Sequence, residues 1–139
     1  MADFGYGSIP DVIVAGTEIT VRNDSESELH ELVAVRIPDG DERPVGEIVE
    51  TDLDRLVSAG PPSLVLLAEP GSDATIVAVG DGALHDPGRY LLICAIPTGV
   101  DPAAYLAAAA ESNGEQPDVD GGPPHFVHGM FADVMVIPA

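Results

Sequence analysis

The sequence predicts an all-β fold: a β-sandwich of about seven or eight short strands with two short helical insertions. Three observations predict it. Short runs rich in valine, isoleucine and leucine recur along the 139 residues. Turn signals separate them, among them Asn23-Asp24-Ser25, Pro38-Asp39-Gly40, Glu69-Pro70-Gly71 and Gly80-Asp81-Gly82. Helical signals are confined to two stretches, around Leu53 and around Ala107.

In chain order, residues 9–23 offer two extended segments. The first holds Val12, Ile13 and Val14; in the second, Ile19 and Val21 alternate with Glu18, Thr20 and Arg22, the pattern of a half-exposed strand. A polar turn at 23–28 delivers Leu29-His30-Glu31 to the head of a strand over 32–37. Thr51-Asp52-Leu53-Asp54 reads as a helix start, with acidic residues in the first turn. Leu53, Leu56 and Val57 keep helical spacing, and Gly60-Pro61 is the stop. Strands are expected at 63–68 and 73–79, the latter carrying Ile76, Val77 and Val79, and a further one at Gly88-Arg89-Tyr90-Leu91-Leu92-Ile93. Asp101-Pro102 is an N-cap with proline at the first helical position, followed by alanine-rich helix to 112 and a Gly/Pro/Asp-rich loop over 113–124. The final apolar run is 131–137. There is no internal repeat, and residues 1–139 are expected to form a single domain.

The charge balance is extreme, with 24 acidic residues against five arginines and no lysine, a formal charge of -19. Such a field disfavours nucleic acid and anionic membrane surfaces, and it suits a cationic protein partner. Adaptation to salt or GC-rich coding would give the same composition. No apolar run approaches the length a bilayer needs. The start, Met1-Ala2-Asp3-Phe4, shows neither a basic nor an apolar signal region, so no signal peptide is expected within these residues. The single cysteine, Cys94, excludes an internal disulfide.

Cys94 closes one strand, and Pro124-His125-Phe126-Val127-His128-Gly129-Met130 leads into the last. A thiol, one of two imidazoles and a thioether thus gather at the facing ends of two strands. A ligand set of soft sulfur, nitrogen and a second, weaker sulfur suits copper better than zinc, magnesium or iron.

These residues resemble the cupredoxins, the plastocyanin- and azurin-like blue copper proteins, over most of the chain. Four places carry the resemblance: Asn23 and a polar turn before His30; Glu69-Pro70-Gly71; Pro87-Gly88-Arg89-Tyr90-Leu91-Leu92-Ile93-Cys94; and His125 to Met130 at H-x4-M spacing. The resemblance implies a Greek-key sandwich binding one copper per chain. It implies His30, Cys94 and His125 as in-plane ligands and Met130 as the weak axial one, with His128 the alternative to His125. His85 is read as an exposed surface histidine. The implied function is one-electron transfer through Cu(I)/Cu(II) by a monomer without substrate chemistry. The location is extracytoplasmic, the partner a redox protein, and any signal or anchor segment lies outside this sequence. Copper storage or delivery is the first alternative, an interaction module with a vestigial site the second. The departure from the family is the stretch between Cys94 and His125, thirty residues where plastocyanin-like proteins have a few. Asn23 is a candidate to hold the ligands from behind.

Overall fold

The computed structural model describes residues 1–7, 9–112, 117 and 119–139. The expected loop over 113–124 therefore lies partly outside the described residues. Six strands form one sheet: β1 (Val12–Val14), β2 (His30–Arg36), β3 (Leu64–Ala68), β4 (Ile76–Val79), β5 (Gly88–Ile93) and β6 (Phe131–Ile137), in the order β1-β6-β5-β2-β3-β4. Among the described residues only the β1–β6 pair is parallel. β2, β3 and β4 follow one another across the sheet, and β5 returns to lie beside β2; this 5-2-3-4 order is a Greek key. The fold is all-β, as the sequence predicts.

The central strands are buried on both faces, which explains why β2 and β3 read as continuous apolar runs. Leu32, Ala34, Leu64, Leu66, Tyr90, Leu92, Val134 and Val136 point to one side. There they meet Ile13 of β1 and a layer of extended but unladdered chain that includes Tyr6, Ile9 and Ile19. Val33, Val35, Val65, Leu91 and Ile93 point to the other, where Ile48 and Leu53 cover them. Those two residues belong to α1 (Val45–Thr51) and α2 (Leu53–Ser58). Leu29, Leu67, Cys94, Ile96, Val100, Tyr105 and Met130 form a third cluster at one end of β2 and β5, where α3 (Pro102–Glu111) packs through Tyr105.

Three sequence expectations change. Residues 18–22 build no strand, because their backbone partners are not a neighbouring ladder: Ile19 donates to the Gly82 carbonyl, and Val21 donates to the Thr75 side chain. The strand count among the described residues is accordingly six rather than seven or eight. The first helical insertion is a pair, since Val45-Gly46-Glu47-Ile48 opens a turn behind Pro44; valine and glycine there masked it. Asp52 stands at the head of α2, but its carboxylate binds Arg43 and Arg55 rather than capping the helix. Asp101 does cap α3, accepting from Ala104 N at 3.2 Å, with Pro102 behind it.

Candidate metal centre

The site sits where β2 begins and β5 ends. His30 is the first residue of β2, with Ala68 of β3 as its register partner. Before it, Asn23 fixes the turn: buried, it donates from Nδ2 to the carbonyls of Glu28 (2.8 Å) and Ala68 (2.9 Å), and its Oδ1 accepts from Ser25 N. Ser25 Oγ in turn accepts from Glu28 N at 3.0 Å. The residues leading to His30 are thus bonded to the sheet rather than left to solvent.

Cys94 follows β5 directly. Its N–H donates to Met130 O, and its carbonyl accepts from Phe126 N at 2.9 Å. His125 opens a single 3-10 turn, His125–His128, which Gly129 ends in the left-handed region at φ 99°. A side chain resists that backbone geometry, and the turn it permits brings Met130 N back to the His125 carbonyl.

The thirty residues between Cys94 and His125 are closed at their base. His125 N donates to Ile96 O (3.0 Å), Thr98 N to Pro123 O (3.0 Å) and Gly122 N to Thr98 O (2.9 Å), so that 94–98 and 122–126 run as an antiparallel neck. The two arms approach so closely that a Cβ on Gly121 would lie 2.5 Å from that of Pro97. Beyond the neck, Tyr105 packs against the cluster holding Cys94 and Met130 and hydrogen-bonds the carboxylate of Glu31.

The ligand atoms converge. His30 Nδ1 and His125 Nδ1 are 3.2 Å apart, Cys94 Sγ lies 3.3 Å from His125 Nδ1, and all three residues are buried. One donor atom from each lies within 4.8 Å of the others. Donors each about 2.0–2.3 Å from a shared ion stand about 3.5–4.0 Å apart across a trigonal plane. The edges at 3.2 and 3.3 Å are a few tenths of an ångström shorter, so a small separation of the rings and the sulfur would seat an ion among them. The outer nitrogens face carboxylates: His125 Nε2 meets Glu28 at 3.2 Å, and His30 Nε2 meets Asp3 at 3.4 Å. Donation from both Nε2–H groups leaves two Nδ1 lone pairs directed at each other beside sulfur, an arrangement that a cation stabilises.

The electrostatics agree. Burial, then the neighbouring His125 ring, lowers the His30 pKa to about 4, and burial likewise lowers that of His125. Both imidazoles are neutral near pH 7, the form that ligates. Burial, then the Glu31 carboxylate, pushes the Cys94 thiol well above the usual range. It needs a cation to become the thiolate. Glu31 N donates to Cys94 Sγ at 3.4 Å, a weak hydrogen bond that favours charge on sulfur.

Met130 is fully buried in the cluster that contains Cys94. His128 is exposed, with its ring 4.7 Å from that of Phe4, so of the two disputed histidines it is His125 that stands beside Cys94 and His30. His85 is exposed, as expected, although it has a partner in Asp81 at 2.8 Å. Sequence reasoning passed over Glu28, Glu31, Asp3 and Phe4, whose ring lies edge-on to His125 at 5.3 Å. Among 24 acidic residues no spacing singles out three carboxylates, and the amino-terminal contacts exist only in the folded chain.

No family model matches the chain, and none of the curated proteins does. Two solved structures resemble it. One is the dithionite-reduced auracyanin of the photosynthetic bacterium Roseiflexus castenholzii, 18% identical, covering 99% of this chain and 91% of that one with a TM-score of 0.51. The other is auracyanin B, 15% identical, covering 99% and 83% with a TM-score of 0.46. The chain has the cupredoxin fold.

Proposed function

We propose that this cupredoxin-fold protein binds one copper ion per chain and acts as a one-electron carrier. The observation that carries the reading is the buried convergence of His30 Nδ1, His125 Nδ1 and Cys94 Sγ. Those three would hold the ion, with Met130 as the weak fourth ligand, its backbone bonded to both Cys94 and His125. When bound, copper supplies a Cu(I)/Cu(II) couple, and two imidazoles with a thiolate suit both states.

The chain's own part is to hold donors that need move little. The histidines are neutral and their outer nitrogens engaged, the neck fixes His125 relative to Cys94, and burial keeps bulk water away. These features favour a carrier over a delivery protein, because delivery needs ligands that open readily to release the ion. The proposal extends to a monomer outside the cytoplasm with no substrate chemistry. A formal charge of -19 opposes self-association and favours a cationic redox partner.

Titrating the metal-free protein with a copper(II) salt should give an intense visible thiolate-to-copper band that saturates at one equivalent and vanishes in Cys94→Ser. Absence of the band, or a band undiminished in that variant, overturns the reading.

A further inference from the structure

We propose that Glu28 is a positioning residue of the metal centre, one carboxylate that fixes the outer nitrogen of His125 and ties the 95–124 excursion to the ligands. The inference rests on the copper reading above for its metal-dependent part.

Glu28 Oε2 lies 3.2 Å from His125 Nε2. The same carboxylate accepts from Gly99 N at 3.0 and 3.1 Å through its two oxygens, just beyond the neck. Its side chain is 13% exposed against His125 at 0%, so little water competes for the bond to His125, while the bonds from Gly99 lie at the exposed edge. Its backbone is held on both sides, the N–H by Ser25 Oγ and the carbonyl by Asn23 Nδ2. The carboxylate therefore has a fixed position, from which it orients the His125 ring and selects the Nε2–H tautomer that leaves Nδ1 free for metal. Asp3 offers a contrast on the other histidine: it stands 3.4 Å from His30 Nε2 and is 52% exposed, so water shares that contact.

The test compares the full-length wild type with Glu28→Gln, Glu28→Ala and Asp3→Ala. In the metal-free protein, ring nitrogen chemical shifts should show His125 as the Nε2–H tautomer, with that preference lost in Glu28→Ala. In the copper-loaded protein, Glu28→Ala should lose about 10–100-fold in affinity for the ion. It should also shift the visible band and raise the reduction potential, because a negative charge near the oxidised ion has gone. Glu28→Gln keeps an acceptor oxygen and should recover most of the affinity while retaining the raised potential. Unchanged His125 shifts in Glu28→Ala overturn the proposal whether or not copper binds. So does a loaded Glu28→Ala protein with wild-type affinity and potential, or an effect confined to the melting temperature of the metal-free form. An equal loss in Asp3→Ala also overturns it, since general negative charge would then account for both. A wild type without the visible band contradicts the copper reading alone, and the tautomer measurement still decides this one.

Discussion

Two helix-bearing excursions leave the sheet, and they do different work. The first, between β2 and β3, carries α1 and α2, and its helices turn Ile48 and Leu53 onto the face formed by Val33, Val65, Leu91 and Ile93. Its polar anchoring is a network near the surface in which Arg43 binds Asp41 and Asp52, Arg55 binds Asp52, and Arg89 of β5 donates to the carbonyls of Asp41 and Arg43. The second, between Cys94 and His125, carries α3, is pinched at its base by the 94–98/122–126 neck, and sends Tyr105 to a fully buried carboxylate beside the site. The first is a cover, joined to the sheet by apolar area and, at its start, by Arg89, and none of these hydrogen bonds reaches the candidate site. The second belongs to the candidate metal centre, joined to it through hydrogen bonds to Glu28 and Glu31. Similar secondary structure therefore says little about role; the partners of the buried polar atoms say more.

Substitutions in each excursion should separate these roles. The largest loss of stability is expected from Ile48→Ala, which empties a fully buried position under α1 and should cost about 2–5 kcal/mol in chemical denaturation. The visible band of the copper-loaded protein should stay where it was. A displaced band would mean that the cover and the metal centre are coupled.

Tyr105→Phe is the converse test. Removing the hydroxyl takes one hydrogen-bond donor from the buried Glu31 carboxylate, at about 1–3 kcal/mol. Capture of copper by a chelator should also quicken, because α3 is less firmly seated on the cluster holding Cys94 and Met130. Wild-type release kinetics together with lowered stability would reduce the second excursion to a cover as well.

The smallest effect concerns acid. Hydrogen bonds and charge from Arg43 hold the Asp41 pKa at about 2, below its ordinary 3.8. A carboxylate depressed in the folded state adds stability that is complete above the ordinary value and is lost as pH falls from about 4 to about 2. Asp41→Asn should therefore melt slightly below the wild type at pH 5, with the two curves converging near pH 2. A gap that persists there would assign the Asp41 contribution to packing.

The thiol, the H-x4-M spacing and the strand that ends at Cys94 were legible because the candidate ligands, residues of uncommon type, stand at strand ends. The Asp101-Pro102 helix start was equally plain, since its cap is local in sequence. What stayed hidden is what depends on long-range pairing. Residues 18–22 alternate like a strand, yet their hydrogen bonds go to a loop carbonyl and to Thr75. The neck escaped notice because Pro97, Pro123 and Pro124 signal a loop, whereas the ladder uses the carbonyls of Ile96, Thr98 and Pro123, which no breaker rule forbids. Glu28 and Glu31 look like two more members of an acidic surface until burial separates them from the rest.

The neck separates contour length from span. Because 94–98 and 122–126 are already paired, the chain between them could lengthen or shorten at its outer end without changing the distance from sulfur to imidazole. Variation in loop length is then a record of what happens at the rim of the molecule, while the spacing of the donors is inherited from the sheet.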